Sequence, residues 1–452
     1  MYTIAKNIHG MQADRYNDCM SFRSIVKKVI PTGVFQAIEP TGHLIEAVIM
    51  TTKYGFPGRK FKVIGVTGTN GKTTTSFMIH TLLHNAGIKS ALITTVGYGI
   101  GDDIVHQKQH ITSPKAGVLQ KRLKQFANAG VEWVIVETSS HGLAQNRVWG
   151  VPYQIAVMTN ITHDHLEYHG TFERYLEAKT KLFKIANKNG MKYGIANIDD
   201  TNASEFLKYV DNKTTYGLSK GDIYAQNVKL KASGTTYTAI SGEDTYAIQL
   251  QIPGEFNVSN SLAAIAVGRK LGLTKSQIEK GIAALETVEG RMNSIAAGQK
   301  FQVLVDFAST PDGFQKFFES MRPLVKGKLI AVFGSAGRRD ESKRALQGEI
   351  AASYADVVVI TEEDDRDENG ESILAEIAKG AKAKGKVQDT NLFIIQNREE
   401  AIGFAMTLAK NKNDTVVLLG KGHEKTIERA DGEYPWDEAQ AAKAAIESLL
   451  NR

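Results

Sequence analysis

One cysteine, Cys19, in 452 residues excludes an internal disulfide framework and fits a reducing compartment. No run of about eighteen apolar residues occurs, so no segment reads as membrane-spanning. Met1 to Asp18 is polar and lacks the apolar core of a secretory signal. The net charge of +6 is small for this length, and basic residues lie scattered among acidic ones. Such a balance favours anionic small molecules and lacks the clustered basic face that nucleic acid requires. Neither repeats nor low-complexity segments are present. These absences lead us to expect a cytoplasmic protein without membrane or nucleic-acid partners. At 42% apolar and 23% charged the chain is globular, and its length suggests about three domains.

The richest segment is Gly65-Val66-Thr67-Gly68-Thr69-Asn70-Gly71-Lys72-Thr73-Thr74-Thr75. An apolar run from Phe61 to Val66 enters a glycine-rich turn, and Gly71-Lys72-Thr73 opens a helical pattern. Glycines let backbone N–H groups curl around phosphate oxygens, and a helix N-terminus adds partial positive charge. Gly68, Thr69, Asn70, Gly71 and Thr74 form that cradle, Lys72 supplies a point charge, and Thr73 offers a hydroxyl to Mg²⁺. Val66 stands where the strict Walker spacing has its first glycine. A nucleoside triphosphate is the expected ligand.

Residues 1 to about 60 carry little pattern beyond a helix near Leu44–Tyr54, and Tyr54–Arg59 reads as a linker. Beyond it, Lys62–Val66, Ala91–Val96, Trp133–Glu137 and Gln154–Met158 read as strands and Ser76–Asn85 as a helix. Their alternation predicts a mainly parallel sheet. Between Thr214 and Pro253 the rhythm becomes that of a small antiparallel patch, and a helix follows from Asn257 to Leu271. After Arg291 the alternation restarts with Gln302–Phe307, Lys328–Phe333, Asp356–Thr361, Asn391–Ile395 and Thr415–Leu419. The fold class is therefore α/β: a central P-loop mononucleotide-binding domain over 61–290, a C-terminal Rossmann-like domain over 291–452, and a short N-terminal segment, 1–60.

Glu137 follows a strand and is placed to share Mg²⁺ with Thr73. Thr159 to Thr171 then packs His163, Asp164, His165, Glu167 and His169 into seven residues, a density that suggests a metal or phosphate site. His-x-His spacing alone would also admit zinc, but cysteine ligands are absent. In the next helix Phe172, Tyr175, Leu176, Leu182, Phe183 and Ala186 make an apolar stripe, and Lys179 sits on it. Helical spacing by itself favours a snorkelling ammonium; a desolvated amine able to capture CO₂ as a carbamate is the other reading.

TGTNGKTTT, ETSSHGLAQNRV, TNITHDHLEYHGTFERYLEAKTKLF, FNVSNSLAA, GRM and GKGHE, in that order, resemble the Mur ligase family over residues 61 to 452. Within it the resemblance is to the tripeptide-forming branch. It implies ATP-driven peptide-bond formation, in which an acyl phosphate on a substrate carboxylate is displaced by an amine. It also implies that Lys72 and Thr73 meet the triphosphate and Mg²⁺, that Glu137 binds a first magnesium, and that His165 and carbamylated Lys179 serve a second. Asn260, Arg291 and Asp306 match nucleotide contacts. Thr112, Ser113, Ser139 and Arg147 match positions that hold the UDP-MurNAc-dipeptide, and Arg366, Gly420 and Glu424 the pocket for a diamino acid. We expect a monomer.

Departures from the family are confined to a few places. The segment before the P-loop is short, Ser309 replaces a histidine, Gly337-Arg338-Arg339-Asp340 replaces Gly-Asp-Arg-Asp, and Glu363-Asp364-Asp365-Arg366 replaces Asp-Asn-Pro-Arg. Arg366 suits the distal carboxylate of meso-diaminopimelate, whereas the acids around it would suit the ammonium of lysine. The alternatives are a lysine-adding ligase, a folylpolyglutamate-synthase-like amide ligase, and a nucleotide-dependent binding module that has lost catalysis.

Overall fold

The computed structural model describes residues 32–107, 111–231 and 234–451; Cys19 and Met1 to Asp18 lie outside the described residues. The first helix, α1 (Thr32–Lys53), is longer than the segment read from sequence. It packs on the helix Ala116–Asn128, and a one-turn 3-10 helix, Pro57–Lys60, leads into the main sheet.

That sheet begins with β1 (Lys62–Thr67), α2 (Lys72–Asn85) and β2 (Ser90–Ile93). The expected strand Ala91–Val96 ends early: Thr94 and Gly97 close a turn, and the chain returns as β3 (Gly97–Ile100) and β4 (Asp103–His106). These two strands were not legible because β3 carries Gly97 and Gly99. A Cβ on Gly99 would lie 1.9 Å from the Asp103 carbonyl, so close strand approach requires the residue that least resembles a strand former. Then come α3 (Ala116–Asn128), β5 (Trp133–Glu137), α4 (Ser140–Ala144), β6 (Tyr153–Met158), α5 (Leu166–His169) and α6 (Phe172–Ala186). A further unread strand, β7 (Tyr193–Asn197), contains Gly194, where a Cβ would press on Val210 and Phe183. After α7 (Ala203–Leu207) and β8 (Asn212–Gly217), the strands β9 (Ile223–Lys231), β10 (Gly234–Ser241) and β11 (Asp244–Leu250) supply the antiparallel patch.

Together these make one eleven-stranded sheet in the order β11-β10-β9-β8-β7-β6-β1-β5-β2-β3-β4. Its centre is parallel and covered on both faces, so alternate residues of one strand enter different cores. Ile64 and Val66 join Met78, Leu82 and Leu262 on one side, while Val63 joins Leu123, Tyr175 and Phe183 on the other. Helices α8 (Glu255–Lys270) and α9 (Lys275–Ala283) pack against α2. A Thr274–Gln277 capping box fixes the start of α9.

The rest of the chain builds a second sheet. Its elements are β12 (Asn293–Ser294), β13 (Gln302–Asp306), α10 (Pro311–Met321), β14 (Leu329–Phe333), α11 (Ser342–Tyr354), β15 (Val357–Ile360) and α12 (Gly370–Ala383). They continue with β16 (Leu392–Ile394), α13 (Arg398–Leu408), β17 (Thr415–Leu419), a hairpin β18 (Thr426–Arg429) and β19 (Gly432–Pro435), and α14 (Glu438–Leu450). The order β12-β13-β17-β14-β15-β16 is parallel except for β12 and contains all five strands read from the sequence. Among the described residues, no helix is long and apolar enough to cross a membrane.

The loops at the C-terminal end of this second sheet are fixed by a buried ion pair. Arg398, with 0% exposure, donates to both carboxylate oxygens of Glu438 at 2.9 and 2.6 Å. It also donates to the carbonyls of Leu419, the last residue of β17, and of Glu362, just after β15. Removing one partner strands a buried charge, which costs about 3–5 kcal/mol. Arg398→Ala should therefore lower unfolding free energy by about that amount in urea titrations. A loss under about 1 kcal/mol, the scale of an exposed pair, would contradict this reading.

Candidate active site

Parallel pairing of β1 with β5 sets Val66 beside Glu137, so the glycine turn and the acid leave the sheet side by side. The turn cannot carry side chains at two points. Gly68 has φ +152 and a Cβ there would lie 1.9 Å from Thr159 Oγ1; Gly71 has φ +80 and its Cβ would meet Asn260 Oδ1 at 2.4 Å. The loop is further tied to the end of β6 by Thr69 N to Asn160 O (2.8 Å), Asn70 N to Asn160 Oδ1 (3.0 Å) and Thr159 Oγ1 to Asn70 O (2.7 Å). Helix α2 then starts at Lys72, where Gly71-Lys72-Thr73 opens the helical pattern and one turn before the read segment Ser76–Asn85, with no side-chain cap. Its first N–H groups are left facing the cleft that a phosphate would enter.

Around that N-terminus the predicted residues converge. Thr73 Oγ1 donates to Glu137 Oε2 at 3.0 Å, and Glu137, 1% exposed, also accepts from Thr95 N at 2.9 Å. Arg291 reaches in from the connection to the second sheet, its Nη2 3.4 Å from Thr73 Oγ1 and its guanidinium 4.6 Å above the Phe307 ring. Arg291 Nε is buried with no partner among the described residues. Asn260 accepts from Thr75 Oγ1 at 3.2 Å and is oriented by Asn257, so it supports the loop from α8 as well as lining the cleft. Asp306 is held by the Met292 and Ala308 amides, both at 2.8 Å, while burial pushes its carboxyl upward. Lys72 Nζ donates to Thr69 O at 2.7 Å, and burial pushes its ammonium down, opposed by Glu137 and Asp164.

Lys179 corrects the snorkelling expectation. It is 1% exposed, and Nζ lies beneath the glycine loop, donating to Gly68 O at 2.6 Å and sitting 4.6 Å from the Tyr175 ring. Desolvation, reinforced by Lys72, pushes its ammonium well below the ordinary lysine range. Helical spacing could not reveal this, because the covering group is backbone from over a hundred residues earlier. His165 caps α5 at φ 54, pairs with Asp164 at 3.4 Å and stacks edge-on against His141 at 4.7 Å. His163 stacks on Phe172, and His169 lies against Tyr175. Among the described residues no three His, Cys, Asp or Glu side chains converge as a metal cage.

Thr112, Ser139 and Arg147 line the same cleft, which has a volume of about 1570 Å³. Ser113, 1% exposed, works from behind: it accepts from Ser139 N at 2.9 Å, and its carbonyl accepts from Arg147 at 2.9 Å. At the far end, Arg366 has φ 55 and donates from Nε to Glu428 Oε2 at 2.9 Å and from Nη1 to Gly337 O. Gly420 contributes backbone only, with a Cβ there falling 2.4 Å from Glu363 Oε2. Glu424 is bound by Lys421 at 2.6 Å. Sequence reasoning missed three participants. Asp312 accepts from Asn70 Nδ2 at 2.7 Å across the two sheets, Glu428 covers Arg366, and Arg339 lines the cleft with no ion pair among the described residues. The signal for Asp312 was its place at the start of α10 after Thr310-Pro311.

Two family descriptions match the chain: Mur ligase middle domain over residues 66–268, and Mur ligase, glutamate ligase domain over 290–422. A UDP-N-acetylmuramyl-tripeptide synthetase of Roseiflexus sp. is 39% identical over 427 residues, covering 91% of this chain and 83% of that protein. A UDP-N-acetylmuramoyl-L-alanyl-D-glutamate–2,6-diaminopimelate ligase 1 of Clostridium acetobutylicum is 37% identical, covering 94% and 86%. A solved UDP-N-acetylmuramoyl-L-alanyl-D-glutamate–2,6-diaminopimelate ligase is 32% identical with TM-score 0.61, covering 86% of this chain and 79% of that one.

The loop geometry makes Gly71 sensitive. An alanine there must hold φ +80, at a cost of about 1–2 kcal/mol, and must also displace Asn260. Gly71→Ala should lower the denaturation midpoint accordingly and loosen Asn260, seen as faster amide exchange at the start of α2. Unchanged stability and exchange would contradict the described loop.

Proposed function

The chain belongs to the Mur ligase family, whose members are ATP-dependent ligases that form amide bonds, and we propose that it joins meso-diaminopimelate to UDP-MurNAc-L-Ala-D-Glu. The observation that carries this reading is the continuity of the cleft. It runs from Lys72 and Thr73 past Ser139 and Arg147 to Arg339 and Arg366, and its volume exceeds the roughly 300–1,000 Å³ typical of one small ligand. Three substrates in a row fit such a space. Two separate sheets support dividing the chain near residue 290, with 1–60 as an acceptor segment, 61–290 for ATP and 291–452 for the amino acid.

The side chains suggest their tasks. The α2 amides and Lys72 bind the triphosphate, and Arg291 and Asp306 close on the nucleotide from the second sheet, with Asn260 beneath the loop. Thr73 and Glu137 are hard oxygen donors 3.0 Å apart, which fits Mg²⁺. When bound, the metal screens the charge of ATP and carboxylate. His165 and Lys179 would hold a second ion if the Lys179 amine left Gly68 O, added to CO₂ and gave up a proton to become a carbamate; burial, which pushes its ammonium well below the ordinary lysine range, supports that. Thr112, Ser113, Ser139 and Arg147 hold the acceptor so that its carboxylate faces the phosphates. Arg339 and Arg366 provide for the distal carboxylate of the diamino acid, with Gly420 and Glu424 beside them. Closure of the second sheet's domain over the cleft would keep water from the acyl phosphate.

Phosphate release with ATP, UDP-MurNAc-L-Ala-D-Glu and competing amino acids tests this. Diaminopimelate should be used in preference to lysine, and a folded Lys72→Ala protein should turn over at least about 100-fold more slowly. Preference for lysine would overturn the amino-acid assignment, and release supported only by a different acid acceptor would overturn the acceptor assignment.

A further inference from the structure

The glycine turn meets the second sheet through a pair of side chains that the binding roles above leave unused. Asn70 is held from both sides by the end of β6. Its amide donates to Asn160 Oδ1 at 3.0 Å, and its carbonyl accepts from Thr159 Oγ1 at 2.7 Å and Asn160 Nδ2 at 3.0 Å. With its backbone so committed, the side chain turns to the second sheet, where Nδ2 donates to Asp312 Oδ2 at 2.7 Å. Asp312 stands in the first turn of α10, which Pro311 opens and Thr310 caps by accepting from Gly313 N at 3.1 Å. Lys316, one turn further on, donates to the same Asp312 oxygen at 3.0 Å. That oxygen therefore takes one hydrogen bond from the glycine turn and one from its own helix.

Helix α10 is anchored in the second sheet's core by Phe314, Phe317, Phe318 and Met321, all buried. A pull on Asp312 is thus a pull on that core. Asp312 does not line the cleft, whereas Thr310, Pro311 and Gly313 around it do, as do Asn70 and Lys72. The pair sits at the rim, where the wall given by α10 meets the wall given by the glycine turn. The Asp312 and Lys316 side chains are 26% and 40% exposed, so water competes for the contact. Discounted for that exposure, a hydrogen bond to a charged group biases an equilibrium about tenfold. Such a contact holds two bodies together and still lets them part.

We infer that the Asn70–Asp312 contact is the clasp that couples ATP cleavage to amide formation, by keeping α10 against the glycine turn while the acyl phosphate exists. This rests on the ligase reading above and adds the residue that seals the phosphoryl end against water. Asp312 is a positioning residue: it acts through Asn70, and no bond to it forms or breaks in the reaction. With the clasp open, water adds to the acyl phosphate and the bond between carboxyl and phosphate breaks. The acceptor then returns as a carboxylate, inorganic phosphate leaves and one proton is released. ATP is consumed and no amide forms. Lys316 restrains the Asp312 carboxylate from the helix side.

The test counts phosphate released per amide bond formed from ATP, UDP-MurNAc-L-Ala-D-Glu and diaminopimelate. The intact protein should release one phosphate per bond. Asp312→Ala removes the hydrogen-bond acceptor, and the ratio should rise to about 3–10 as the open arrangement gains about tenfold. Phosphate release with the acceptor present and the amino acid left out should rise in parallel. KM for ATP should stay within about twofold, because no group that binds nucleotide is lost. Asp312→Asn keeps an amide oxygen that accepts from Asn70, and should bring the ratio back below about 2. A side chain that only supports the fold would lower stability and rate without moving the ratio. A ratio near one in Asp312→Ala, or an equal rise in both variants, would overturn this inference and leave the ligase reading standing. An intact protein that forms no amide bond from these substrates would overturn the ligase reading itself.

Discussion

Everything at the nucleotide end depends on one buried carboxylate, Glu137, and on the strand register that delivers it. Because β1 and β5 run parallel with Val66 opposite Glu137, the acid emerges beside the glycine turn and accepts from Thr73 and Thr95. At 1% exposure its charge is not hydrated, so its surroundings must supply compensation. The charges of Lys72, Lys179 and Arg291 all act on it, Lys179 from a buried position and the other two half-buried. Mutual compensation of this kind fixes geometry. Burial, which Glu137 and Asp164 oppose, pushes the lysine ammoniums down, and this suits Lys179 to chemistry that ordinary surface lysines do not undergo.

The same logic repeats at the other end with different residues. Arg398 and Glu438 are a closed pair with no exposure and hold the loops after β15 and β17. Between the two ends, contacts join loops of both sheets. Asn70 reaches Asp312, Lys425 bridges Glu289 and Asp437, and Gly290 packs so tightly on Gly422 and His423 that a Cβ would lie 2.3 Å from the His423 amide. His423 pays for that burial with a pKa pushed down to about 3, so its ring is neutral in the folded protein. The motifs scattered through the sequence are therefore neighbours in space.

How far the sequence could be read follows from what each signal encodes. Glycine turns, apolar runs and helix stripes are local, so the P-loop, the parallel strands and the second sheet were legible. The strands β3 and β7 were hidden because glycine at Gly97, Gly99 and Gly194 answers to tight packing by a neighbour. Lys179 was misjudged because its cover is the Gly68 carbonyl, distant in sequence. Arg366 was recognised, but its partner Glu428 sits 62 residues on, in a hairpin whose existence was not read. Departures from the family pattern also make physical sense only in three dimensions: Asp364, in place of asparagine, sits on Lys421.

In this cleft the acceptor carboxylate must meet the phosphates before the amine attacks, and the fate of one oxygen atom tests that order. UDP-MurNAc-L-Ala-D-Glu labelled with ¹⁸O in its terminal carboxylate, incubated with ATP and diaminopimelate, should yield product and inorganic phosphate carrying one labelled oxygen. Phosphate free of label, formed alongside normal product, would contradict the account.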